Sequence, residues 1–286
     1  MKKTLLMTIF AASVFALAGC GGGGGGGGSD NTTTTPVTGA NPTTDNTATN
    51  GNVPTTGTTP TTDQTSGVAS AAAGAYTGSN SRGYLQNTLV LPDGRYLLVS
   101  SKMANGVRTP YGFVKGSAGA VAGSISGEGR GFAANGEVST GMLTGTYQDN
   151  TTISGSYREP SGTYTFSGVV QQTSVIDFNR AASIAEVQGA WTLKTMSGES
   201  VTMTVSTTGA VSGTNGTCSF TGTLTPNTAG KNVFETSLTF GASCSNPGQV
   251  ATGLGILTVP SAGKQELVIA AADAGNITGD VFVGAR

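Results

Sequence analysis

The chain of 286 residues contains no histidine, and charged residues make up only 10% of it. The missing imidazole excludes Ser-His-Asp and Cys-His catalysis and removes the commonest general base. It also leaves a zinc site without suitable ligands, because the chain has only three cysteines. Carboxylates such as Asp93, Glu128 and Glu137 lie in turns and glycine-rich segments, as solvated loop charges do. We therefore predict a protein that is not an enzyme and that holds no metal and no cofactor.

The N-terminal apolar run, Leu5 to Ala16, is shorter than the roughly 20 residues that a membrane-spanning helix needs. It follows Met1-Lys2-Lys3 and has the length of a signal-peptide core. Leu17-Ala18-Gly19-Cys20 then matches the lipobox of bacterial lipoproteins. This resemblance implies that residues 1–19 are removed and that Cys20 carries fatty acyl chains such as palmitate. The alternative is an ordinary secretory signal that ends near a cysteine.

Gly21 follows the cysteine where an aspartate would retain a Gram-negative lipoprotein in the inner membrane. The glycine run Gly21 to Gly28 resembles the start of several surface-exposed neisserial lipoproteins. These resemblances imply a lipid-anchored protein of the outer membrane. The sequence leaves open whether the chain faces the cell surface or the periplasm.

Residues 20–73 form the second segment. After the cysteine they include no aromatic residue, no Leu or Ile, and no Lys or Arg. Such a segment cannot bury enough apolar area to offset its ordering entropy, so we predict a disordered Gly/Thr-rich tether. About 50 residues of flexible coil span roughly 40 Å. Thr-Pro pairs leave open that the tether carries O-linked sugar.

Net charge and cysteine count constrain the partners and the covalent links. Without Lys2 and Lys3 the chain has 12 basic residues against 15 acidic ones, a net charge of −3 that argues against nucleic acid. With Cys20 assigned to lipid, Cys218 and Cys244 remain as an even pair in an oxidising compartment. We predict a disulfide between them, with two free thiols or a metal pair as the alternatives.

From residue 74 onward the sequence predicts an all-β fold. Short runs rich in Val, Ile, Thr, Tyr and Phe alternate with Gly, Asn and Asp turns, as in the hairpin around Asp93-Gly94. A break near residue 175 separates two series of strands. A capping box beginning at Ser183 predicts a short helix between them. The predicted strands cover 85–91, 95–99, 111–115, 120–126, 141–147, 151–157 and 163–170, then 201–205, 217–224, 233–240, 249–259, 266–270 and 280–283.

Two similar starts indicate tandem domains at 74–175 and 176–286. Gly74-Ala75-Tyr76-Thr77 aligns with Gly189-Ala190-Trp191-Thr192, 115 residues later. The Gly-x-Trp opening resembles the first strand of lipocalin-like and avidin-like barrels, which implies a structural role for Trp191. The sequence favours two small antiparallel barrels or sandwiches and does not decide whether either has a cavity. The whole arrangement resembles uncharacterised proteobacterial lipoproteins, which implies no particular activity.

Arginine and tyrosine lie close together in the first domain, and this pairing is enriched in binding interfaces. The candidate binding residues are Arg82, Tyr84, Arg95, Tyr96, Arg108 and Tyr111. The alternative is that the arginines only keep strand edges soluble. Three functions remain: an outer-membrane binding module for a protein, glycan or envelope partner, a periplasm-facing barrel for a small ligand, or a structural envelope protein.

Overall fold

The computed structural model describes residues 70–171, 177–258 and 264–286, which form sixteen β-strands and one short helix. The predicted all-β fold is confirmed. The signal peptide, the lipidation site Cys20 and nearly all of the tether lie outside the described residues. No helix among the residues described is both long and apolar enough to cross a membrane.

The first eight strands close into an antiparallel barrel in chain order. Each strand pairs with the next, and the last returns to the first, where Tyr76 lies opposite Val170. Tight turns use positive φ, as at Asn105 (51°) and Gly106 (74°). The strands are β1 (Gly74–Asn80), β2 (Leu85–Val90), β3 (Arg95–Ala104), β4 (Val107–Val121), β5 (Ser124–Ala133), β6 (Val138–Gln148), β7 (Thr152–Glu159) and β8 (Gly162–Val170).

The second barrel follows helix α1 (Ile184–Val187) and has the same up-and-down order. Its last strand closes on its first through the pair Val283 and Lys194. Its strands are β9 (Gly189–Lys194), β10 (Ser200–Val205), β11 (Ala210–Asn215), β12 (Cys218–Pro226), β13 (Phe234–Phe240), β14 (Val250–Thr258), β15 (Glu266–Asp273) and β16 (Gly279–Ala285). The predicted domain border lies in the undescribed stretch 172–176 and stays a prediction.

Tyrosine rings fill much of the first barrel, and glycines on facing strands make room for them. Tyr96 and Tyr157 are almost completely buried. A Cβ atom at Gly129 would lie 2.1 Å from the Tyr96 hydroxyl, and one at Gly141 would lie 2.5 Å from the Tyr157 ring. These glycines are therefore needed for packing, since any larger residue would displace a buried ring.

The two barrels begin in the same way. The Tyr76 hydroxyl donates to the carbonyl of Ala72 at 3.0 Å, and the Trp191 indole N–H donates to the carbonyl of Val187 at 2.7 Å. In each case the acceptor lies four residues earlier and is fully buried. The two aligned four-residue starts thus adopt one local arrangement, and Trp191 lies in the core of its barrel.

An apolar core joins the two barrels side by side within one compact unit. Leu97 and Phe113 of the first barrel belong to the same buried cluster as Ile256 and Val268 of the second. Strand β15 is buried along its whole length. Its inner side chains fill the second barrel and its outer ones pack in this shared core, which stabilises the barrels as a pair.

Candidate binding site at the mouth of the first barrel

The first barrel has one end that is open to solvent, which we call the mouth. It is formed by the turns after β1, β3, β5 and β7, which an up-and-down order places at the same end. The chain reaches the barrel at the opposite end, where the N–H of Ser70 donates to the carbonyl of Pro92 in the turn after β2. The mouth is therefore separated from the segment that precedes the barrel.

A pocket of about 600 Å³ opens at the mouth. This volume lies within the range of small-molecule sites, which also occur at barrel mouths. The pocket combines partly buried aromatic rings with hydroxyl, amide and charged groups. Its polar and aromatic lining residues are Asn80, Arg82, Tyr84, Ser100, Tyr111, Phe113, Phe132, Asn135, Glu137, Ser139, Glu159, Ser161 and Tyr164.

Asn80 organises one side of the pocket. Its side-chain oxygen accepts hydrogen bonds from the backbone N–H groups of Arg82 and Tyr84 at 3.0 and 3.1 Å. Its amide nitrogen donates to the side chains of Gln86 and Ser100 at 3.2 and 3.1 Å. An asparagine that bonds the backbone two residues on stabilises a turn. Asn80 thus fixes the turn that presents Arg82 and Tyr84 to the mouth.

Arg82 and Glu159 form an ion pair beside Tyr164. The guanidinium of Arg82 lies 5.1 Å from the centre of the Tyr164 ring and 3.8 Å from the Glu159 carboxylate. Glu159 also accepts a hydrogen bond from the hydroxyl of Ser139. Burial, followed by the Glu159 charge, raises the pKa of Tyr164 above its usual range. The phenol therefore stays protonated and is able to donate a hydrogen bond.

A β-bulge shapes the other side of the mouth. The pairing of β3 with β4 passes from Ser100 and Gly112 to Ser101 and Pro110, so Tyr111 has no partner in the ladder. Such a bulge redirects the side chain of the extra residue. The Tyr111 ring contacts that of Tyr84 at a centroid distance of 4.7 Å. The Lys102 ammonium lies 4.1 and 5.1 Å from the two ring centres, a cation–π arrangement.

The structure separates the six candidate binding residues. Arg82, Tyr84 and Tyr111 come together at the mouth. Tyr96 is a barrel-core residue that is 1% exposed, so it is removed from any surface site. The expectation fails there because Tyr96 lies on the inward face of β3, which sequence proximity to Arg95 does not reveal.

Arg95 and Arg108 instead connect the two barrels. Arg108 is 5% exposed and donates to the carboxylate of Glu266 and to the side-chain oxygen of Asn87. Burial lowers the pKa of the Arg108 guanidinium, and the Glu266 carboxylate opposes this shift. Arg95 forms two hydrogen bonds with Glu235, at 2.8 and 3.0 Å. These two arginines hold the barrels together and are not part of the mouth.

The second barrel contains the predicted disulfide. Cys218 and Cys244 are bonded, which confirms that prediction. They line a smaller pocket of about 200 Å³ together with Phe240, Asp280 and Phe282. Among the residues that the structure describes, no group of three or more His, Cys, Asp or Glu side chains could hold a metal ion.

Asn80, Lys102 and Glu159 were not predicted as site residues. Asn80 has a local signal, because asparagine two residues before Arg82 is typical of a side-chain-stabilised turn. Lys102 and Glu159 reach the site only through the barrel order, which brings the turns after β3 and β7 to the same end. No short sequence motif contains them.

No protein-family model and no curated protein matches the chain. One similar solved structure is the isotype 1 transferrin binding protein B of serogroup B Neisseria meningitidis, with 10% identity and a TM-score of 0.25, covering 71% of this chain and 64% of that one. Another is a mutant of the vaccine antigen transferrin binding protein B from Haemophilus parasuis Hp5, with 9% identity and a TM-score of 0.24, covering 71% and 60%. This chain thus spans less than two thirds of either protein. Similarity at this level carries no argument about function.

Proposed function

We propose that this chain is an outer-membrane lipoprotein, displayed on the cell surface, whose tandem barrels act as a non-catalytic binding module. Residues 1–19 are the signal peptide, residues 20–73 are the lipidated Cys20 and the tether, and residues 74–175 and 176–286 are the two β domains. The lipobox and the absence of aromatic residues, Leu, Ile, Lys and Arg from the tether support this arrangement.

One observation carries the binding role: the pocket opens at the end of the first barrel opposite to the end where the chain enters. A tether joined at the entry end leaves the mouth accessible to a partner. Arginine and tyrosine are among the residue types that contribute most to binding energy, and the mouth contains Arg82, Tyr84 and Tyr111. Lys102, over the two tyrosine rings, adds a second cation. The partner is a protein, a glycan or an envelope component.

The volume of the pocket also supports a second candidate, a periplasm-facing barrel that carries a small ligand. The two candidates differ in where the mouth is accessible and in what remains bound on purification. Native mass spectrometry of the purified chain distinguishes them in part. A persistent extra mass of a few hundred daltons favours the carrier, and a clean protein mass favours the interaction module.

The anchor is tested by labelling cells with an alkyne analogue of palmitate. We expect label on the wild-type chain and its recovery in outer-membrane fractions. Cys20→Ala should lose the label and appear unprocessed or released, whereas a Cys218→Ser, Cys244→Ser double variant should keep it. Label that persists in Cys20→Ala would contradict lipidation at this residue.

A further inference from the structure

The mouth combines charged side chains of both signs with neutral polar groups. Arg82 lines the pocket and Lys102 lies beside it, over the rings of Tyr84 and Tyr111, and these two residues supply two positive charges. Glu137 and Glu159, which both line the pocket, supply two negative ones. The described part of the mouth therefore carries no net charge from these four side chains. An anionic ligand would meet two carboxylates and a cationic one would meet two basic groups, so neither sign of charge is favoured.

The aromatic rings are also unsuited to a cationic ligand. A cation binds over a ring face. Here the ring of Tyr164 already has the Arg82 guanidinium at 5.1 Å, and the ring of Tyr111 has the Lys102 ammonium at 4.1 Å. These positions are occupied by charges of the protein itself, which would repel a second cation.

An apolar ligand is disfavoured by the polar atoms in the wall. Covering the Glu159 carboxylate, the Ser161 hydroxyl and the Asn135 amide with hydrocarbon would remove their water without replacing its hydrogen bonds. A suitable ligand must therefore donate and accept hydrogen bonds, while its own apolar parts contact tyrosine.

We infer that the pocket at the mouth of the first barrel binds an uncharged sugar, one or two hexose units at the end of a glycan. A sugar offers hydroxyl donors to Glu159 and Glu137 and hydroxyl acceptors to Arg82. Its C–H groups contact the parts of the Tyr84 and Tyr111 rings that Lys102 does not cover. One or two hexoses fit within about 600 Å³. This inference rests on the binding role proposed above and names the chemical class of the ligand.

The test uses the full lipidated chain, purified in detergent, on an array of neutral, sialylated and amine-bearing glycans with aliphatic controls. We expect neutral glycans to bind, and Glu159→Gln to weaken that binding at least tenfold, on the order of the loss of one charged hydrogen bond. Because Glu159 also accepts a hydrogen bond from Ser139, Glu159→Gln changes a contact within the protein as well. A second variant avoids this effect. Ser161→Trp places a bulky ring at an exposed turn of the mouth and should abolish binding.

Glu128→Gln is the matched control, since Glu128 is an exposed carboxylate on β5 outside this pocket. It should bind neutral glycans as the wild type does. No neutral-glycan binding at millimolar concentration would overturn the sugar inference and leave the proposed binding role standing. If the wild type binds only charged or aliphatic ligands, and Ser161→Trp loses that binding, the sugar inference is likewise overturned and the binding role stands. Glycan binding unchanged in Ser161→Trp would instead contradict the mouth as the binding site.

Discussion

Asp280 is a partly buried carboxyl at the edge of the second barrel. It accepts hydrogen bonds from the backbone N–H groups of Met196 and Val281 at 3.0 and 2.8 Å. Burial nevertheless dominates and raises the pKa of Asp280 to about 6. An unfolded aspartate titrates near pH 4. Between these values the folded state binds the proton more tightly, so this group stabilises the fold at low pH and loses that contribution as pH rises through 6.

Asp280→Asn should therefore stabilise the protein by up to about 2 kcal/mol at pH 7 and by little at pH 4, because the amide cannot ionise. The measurement is urea unfolding of both proteins at pH 4, 5, 6 and 7. Glu235 and Asp273, whose pKa values are lowered, act alike in both proteins and cancel in the difference. A difference that does not vary with pH would contradict this assignment.

Arg108 forms a buried ion pair between the two barrels. It is buried beside Glu266, so Arg108→Ala leaves a carboxylate without its counter-charge and should lower the free energy of unfolding by about 3–5 kcal/mol. Arg95→Ala is the matched control, since its ion pair with Glu235 is partly exposed and should contribute about 1 kcal/mol or less. Equal losses in both variants, measured by chemical denaturation, would contradict a buried clamp at Arg108.

At the scale of elements, the disulfide fixes the loop after β13 to the start of β12. Cys218 and Cys244 are 26 residues apart. Replacing both with serine should lower the free energy of unfolding by about 3 kcal/mol in the chain-entropy model. A thiol reductant should destabilise the wild type similarly and leave the double variant unchanged. A reductant effect on the double variant would show that another process is being measured.

Hairpins were predictable wherever a turn has specific residues. The turns at Asp93-Gly94, Asn105-Gly106 and Asn135-Gly136 all occur between paired strands. The strand predicted at 120–126 is wrong, because Ala122 and Gly123 form the turn between β4 and β5 with φ of 48° and 80°. Alanine rarely adopts positive φ, so the sequence contained no clear turn signal at this position.

Two other elements show the limits of local patterns. Strand β11 (Ala210–Asn215) was missed because small residues dominate it, and its pairing with β10 and β12 decides its conformation. The helix near Ser183 was predicted correctly, but the Ser183 side chain forms no capping hydrogen bond. The candidate site was only partly predictable for the same reason, since Glu159 and Lys102 join Arg82 through barrel order and not through spacing.

At the scale of the whole molecule, the shared core between barrels could not be inferred from either half of the sequence alone. Leu97, Phe113, Ile256 and Val268 show alternation or apolar runs that a single barrel would also explain. We expect one cooperative transition in calorimetry, because separating the barrels exposes this core. Either barrel produced alone should be less stable and prone to aggregate. Two separate transitions would contradict a common core.

We propose that the lipid-anchored chain displays its barrels outside the cell. The most direct measurement is antibody and protease accessibility of a tag added after Arg286, on intact cells and on cells with a permeabilised outer membrane. A periplasmic protein with the same tag serves as the control for leakage. We expect full signal on intact cells, lost in Cys20→Ala. Signal that appears only after permeabilisation would contradict surface display and turn the search for a partner to the periplasm.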